Sequence, residues 1–151
     1  MRAFRFRLQT LQRLREQKRD AAKQRLADAQ SQRMKVESEI RKIHDELQGL
    51  ESHMRQAVNS QQLDVDRVMD GHRHQISLQA KLAELAKVLA SANDEVDKCR
   101  LKLVEADREV KVLEKLHERQ LSEHEKQIAA HESKLLDEAA SIRAARQTKT
   151  A

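Results

Sequence analysis

The sequence predicts an all-α protein: a long antiparallel two-helix coiled-coil hairpin whose C-terminal helix overhangs the first. Three observations predict it. Apolar residues recur at intervals of three and four along most of the chain, the period of one helix face. Proline is absent, glycine occurs twice, and the only aromatic residues are Phe4 and Phe6, so helix breakers and the bulky payload of a globular core are both missing. The pattern lapses once, at Asn59-Ser60-Gln61-Gln62, and then resumes. Charged residues make up 36% of the chain, but the regular placing of Leu, Ile and Val sets it apart from a disordered sequence. Residues 1–151 read as a single hairpin domain.

The first helix is expected over about residues 4–58, roughly 80 Å at 1.5 Å per residue. Its seam opens with Phe4, Leu8, Leu11, Leu14 or Arg15, Lys18, Ala22, Leu26 and Ala29, and two four-residue steps around Ala22 relax the strict heptad. From Val36 the heptad is regular through Ile40, Ile43, Leu47, Leu50 and Met54. The turn falls at about 59–63, where short polar side chains hydrogen-bond locally and no apolar residue keeps the phase.

The second helix is expected over about 64–146, with Asp64 or Asp66 as its cap and Val65, Val68 and Met69 in its first turns. Gly71 costs this start up to about 1 kcal/mol relative to Ala. From Ile76 the seam runs through Leu78, Leu82, Leu85 and Leu89, and it is strictly heptad from Leu82 to Leu113. The short turn favours antiparallel packing, which puts Phe4 level with Leu116 and His117 and leaves everything beyond as overhang. There the seam continues as His117, Leu121, His124, Ile128, His131, Leu135 and Ile142, three of the seven being imidazoles. That composition makes a weak seam, and the overhanging helix needs another surface.

Several function classes are excluded on residue grounds. No apolar run approaches the roughly 20 residues of a membrane span, and the N-terminus has no apolar signal core, so a soluble, unsecreted protein is expected. The one cysteine, Cys99, forms no internal disulfide and reads as seam filler between Val96 and Leu103. His117, His124 and His131 are spaced by seven, about 10.5 Å along the axis, too far apart to share a metal ion. His72 and His74 point apart on a helix and lack further ligands. Phosphate loops, nucleophile motifs and isolated carboxylate pairs are absent, so no enzyme activity, cofactor or metal is expected.

Charge is uneven. Residues 1–25 carry nine Lys or Arg against Glu16 and Asp20, and the tail after Glu138 carries Arg143, Arg146 and Lys149 with no acid. Against a total of +5, the middle is therefore net acidic by about five. The basic N-terminal region admits three uses. It could neutralise nucleic-acid phosphates, though no stacking aromatics or recognition module accompany it. It could lie on an anionic membrane with Phe4, Leu8 and Leu11 inserted. It could meet an acidic protein surface, which a protruding helix suits best.

The opening FRFRLQTLQRLREQKRDAAKQRLADAQ resembles the start of the flagellar type III export FliJ family, with its Phe-x-Phe-x-Leu pattern, Leu and Arg repeat and Ala-rich run. LEKLHERQ (Leu113 to Gln120) and LLDEAA (Leu135 to Ala140) are similar to that family's C-terminal signature. The resemblance implies an antiparallel coiled coil similar to the gamma subunit of rotary ATPases, a non-enzymatic stalk that binds no nucleotide. It further implies insertion into the hexameric export ATPase and its stimulation, contact with the cytoplasmic domain of the large export-gate protein, and escort of export chaperones. The implied location is cytoplasmic, peripheral at the inner-membrane export apparatus, with no nucleic-acid partner.

On this basis Arg5, Arg7, Arg13, Arg15, Arg143 and Arg146 are the expected ATPase contacts, since basic helix ends match the lining of an ATPase pore. The family's gate-binding face would fall on Ile43, Leu50, His74, Leu78 and Leu85, with His74 and Leu50 in place of the larger rings often found there. Alternatives are the equivalent stalk of a virulence-type injectisome, and a basic coiled-coil adaptor binding nucleic acid or membrane.

Overall fold

The computed structural model describes residues 4–59 and 64–148, with side chains as far as 146. Two long helices, α1 (Gln9–Asn59) and α2 (Val65–Thr148), pack against each other as a hairpin, and the described residues contain no strand. Residues 60–63, where the turn is expected, and Lys149 lie outside the described residues. Asp64 is the cap of α2. Its Oδ1 accepts from the Arg67 N–H at 3.2 Å, satisfying one donor that the first turn leaves orphaned, and its carbonyl accepts the first intrahelical bond, from the Val68 N–H at 3.2 Å.

The helices compose two units, Met1–Arg19 with Glu105–Ala151 and Asp20–Val104. In the Asp20–Val104 unit, Leu78, Val96 and Cys99 are buried between the helices. Half-buried residues keep the period on both sides, among them Leu26, Val36, Ile40, Leu47 and Leu50 of α1 and Leu82, Leu85 and Leu89 of α2. In the other unit the buried residues are Phe6, Ala106, Val110 and Leu113.

Two expected details of the seam are corrected. Along α1 the inward positions are Gln12, Arg15, Arg19, Ala22, Leu26, Ala29, Arg33 and Val36, an unbroken alternation of three and four. Leu14 is 57% exposed and Lys18 is also exposed, so the relaxed heptad around Ala22 does not exist. Arginine stems lie along apolar surface while their heads reach the edge, so they hold seam positions that a count of apolar residues skips. Arg33 shows this, with a buried Nε whose nearest carboxylate is Glu37, one turn on, at 3.4 Å.

In α2 the inward positions before Leu78 are Val68, Gly71 and Gln75, while Val65, Met69 and Ile76 are exposed. Gly71 is there because the helices approach closely. A Cβ at this position would lie 3.1 Å from Met54 Cγ and 3.2 Å from its Sδ. Gly49, in contrast, has nothing within 4 Å of where its Cβ would be.

α1 begins at Gln9, not near Phe4, and residues 4–6 are not helical. The first turn has neither an acidic residue nor a capping side chain, and the Gln9 N–H is taken by the Phe6 carbonyl at 3.3 Å. The alternation Phe-Arg-Phe-Arg has a period of two, which an extended segment accommodates with both rings on one side.

Candidate functional site

The expected ATPase contacts all fall in the unit formed by Met1–Arg19 and Glu105–Ala151. Sixteen Lys or Arg and eleven Asp or Glu lie in this unit, against fourteen of each in Asp20–Val104, so it carries the whole net charge of the chain. Arg5, Arg7, Arg13, Arg143 and Arg146 are exposed there. Arg15 differs, because its guanidinium donates to Glu109 at 2.8 Å. Lys18 donates to both oxygens of the same carboxylate, at 3.1 and 3.2 Å. The Lys18 hydrogen bond, reinforced by the charge of Arg15, holds the Glu109 carboxyl below the usual carboxylate range. Glu109 is a residue that the periodic reading passed over, since it flanks the seam beside Val110. Its pairing with two cations of α1 bridges the two helices of this unit.

The non-helical segment before α1 packs on the imidazole-rich part of α2. Phe6 lies edge-on to His117 with ring centroids 4.8 Å apart, and Phe4 meets both His117 and His124 at 5.6 Å. Through this part the seam keeps its alternation of three and four, Leu113, His117, Gln120 and His124, with Leu116 and Leu121 half-buried beside it. The level expected for Phe4, beside His117, is the observed one. Beyond them Leu121, His124 and Ile128 are half-buried, whereas His131, Leu135 and Ile142 are exposed.

The expected gate face lies wholly within the Asp20–Val104 unit. Its five residues are not equivalent. Leu78 is 1% exposed in the seam, between the packed helices. Ile43 and Leu85 are half-buried along an open groove with Glu39, Lys81 and Glu84. Leu50 and His74 line another groove with Met54 and Gly71, and His74 Nε2 is 2.9 Å from Glu46 Oε1. The Gly71–Met54 approach is what shapes this second groove, and sequence reasoning treated Gly71 only as a helix defect. No group of three metal-ligating side chains occurs among the described residues, and no described helix is long and apolar enough to cross a membrane.

No curated protein and no solved structure matches the chain. A family model does match, that described as "Flagellar FliJ protein", over residues 4–149. The match spans both helices, the Phe-Arg-Phe-Arg segment and the exposed end of α2, and the chain therefore belongs to the flagellar FliJ protein family.

Proposed function

We propose that the chain is a non-enzymatic stalk and chaperone-escort component of the flagellar type III export apparatus. In this reading it enters and stimulates the hexameric export ATPase, contacts the cytoplasmic domain of the export-gate protein, and works at the cytoplasmic face of the inner membrane. The observation that carries the proposal is the family match along nearly the whole chain, on a two-helix hairpin. The concentration of net charge in one unit supports a role for Arg5, Arg7, Arg13, Arg143 and Arg146 in meeting the ATPase. Arg15 then acts with Glu109 mainly to fix register. The groove residues Ile43, Leu50, His74 and Leu85 are the proposed gate contacts, with Leu78 supporting them from beneath.

The test is the ATPase rate of the cognate hexamer with and without the chain. Stimulation that is lost on charge reversal of the exposed arginines is the expected result. An unchanged rate, or stimulation indifferent to that reversal, overturns the assignment. Alanine at Ile43, Leu50, His74 and Leu85 should weaken binding to the gate domain while leaving the stimulation intact.

A further inference from the structure

The segment Phe4-Arg5-Phe6-Arg7 alternates ring and guanidinium, and its two sides do different things. Inward, Phe6 is only 6% exposed and meets His117, while Phe4 spans His117 and His124. Outward, Arg5 and Arg7 are exposed, and neither enters an ion pair with a described residue. The hydrogen bond from the Gln9 N–H to the Phe6 carbonyl ties the segment to the first turn of α1. Arg15 and Lys18 are already held by Glu109, and among the described residues Arg5, Arg7 and Arg13 are the exposed arginines at this end. An unanchored segment would lose its conformational freedom only on binding, and that loss subtracts from affinity.

We propose that Phe4 and Phe6 are positioning residues: their rings grip the His117–His124 face of α2 and so present Arg5 and Arg7 as a preorganised basic edge to a carboxylate-rich protein surface. The inference rests on the ATPase-docking reading and adds to it the partner chemistry and the device that fixes the arginines. Both aromatic rings of the chain are engaged with imidazoles, so neither is offered for stacking on bases or for insertion into a lipid interface. That favours carboxylates over nucleic acid or membrane.

The test compares the full-length chain with Arg5→Glu/Arg7→Glu and with Phe4→Ala/Phe6→Ala, by titration against the export ATPase and against immobilised poly-glutamate at graded salt. Circular dichroism verifies that helix content is retained. Both double variants are expected to bind roughly tenfold more weakly. A third variant carries Phe6→Cys, His117→Cys, Phe4→Ala and Cys99→Ala. Joined by a short bismaleimide between the two introduced thiols, it should regain most of the lost affinity; unjoined, it should not.

Wild-type affinity of Phe4→Ala/Phe6→Ala, or failure of the joined protein to bind better than the unjoined one, overturns the proposal. So does tight binding to duplex DNA or anionic vesicles at physiological salt that the Phe substitutions reduce while the poly-glutamate affinity stays unchanged. If the wild-type chain does not bind the ATPase at all, the docking reading falls. The poly-glutamate comparison then decides the positioning role alone.

Discussion

Phe6 stands edge-on to His117, their ring centroids 4.8 Å apart and their planes at 89°. The contact joins a non-helical segment to a helix, so its loss is absorbed locally. Phe6→Ala is expected to free residues 4–8 without unfolding the hairpin, because local opening sets a ceiling on the cost. The midpoint of thermal unfolding should move by only a few degrees. The ring resonances of His117 should lose their ring-current shift in the NMR spectrum. Global unfolding of this variant would show that the segment is integral to the seam.

The carboxyl of Glu109 is held below its ordinary pKa chiefly by the Lys18 hydrogen bond, with help from the charge of Arg15. A depressed acid contributes stability that is present above its unfolded-state value and is lost as pH falls through the lower native value. Glu109→Gln is therefore expected to be less stable than the wild type at about pH 7, with the gap closing on acidification below the ordinary carboxylate range. Added salt should narrow the gap at neutral pH, since both partners are partly exposed. Urea titrations of both proteins across pH and salt test this. A gap that persists in acid would assign the effect to packing.

The two glycines should respond differently to alanine. Gly49→Ala fills open space in mid-helix and is expected to stabilise by roughly 0.5–1 kcal/mol. Gly71→Ala gains the same propensity but must push Met54 aside. In a double-mutant cycle, Gly71→Ala should be more favourable in a Met54→Ala background than in the wild type. Zero coupling between positions 54 and 71 would contradict the close approach of the helices there.

Seam membership can be read by contrast. Leu78→Ala removes a buried side chain and is expected to cost about 2–4 kcal/mol. Ile142→Ala and Leu136→Ala, at exposed positions on α2, should each change stability by less than about 0.5 kcal/mol. Denaturant midpoints of the three variants settle the comparison. A large loss for Ile142→Ala in the isolated chain would reveal burial in an assembly of copies.

The hairpin was legible because its signal is a period repeated many times. From Val36 to Met54 and from Leu82 to Leu113 every seam position is apolar, and the only break falls between the observed ends of α1 and α2. Legibility failed where the seam uses residues that do not look apolar. Arg19, Arg33, Gly71 and Gln75 hold seam positions through long stems or close approach; Lys18 and Ile76, exposed neighbours of Arg19 and Gln75, were read in their place, and Arg33 and Gly71 were passed over. The start of α1 was misplaced for a different reason. Phe4 and Leu8 are four apart, which fits a helix, whereas Phe4 and Phe6 are two apart, which fits an extended chain; only packing on His117 decides between them. The exposed arginines were visible as composition, but the removal of Arg15 by Glu109 needed the antiparallel register.

Past Ile128, every side chain of α2 described up to Arg146 is exposed. These eighteen residues behave as a tethered peptide whose helicity rests on their own alanines and charge spacing. Isolated helices shorter than about 12–15 residues are marginal in water, and this unpacked end is only slightly longer, so it sits close to its own helix–coil balance. Heating should melt the protein in two stages, a broad, gradual unwinding from the C-terminus followed by a sharper collapse of the seam. Any ligand that seats this end would narrow the first stage, and calorimetry could then register docking with no catalytic readout.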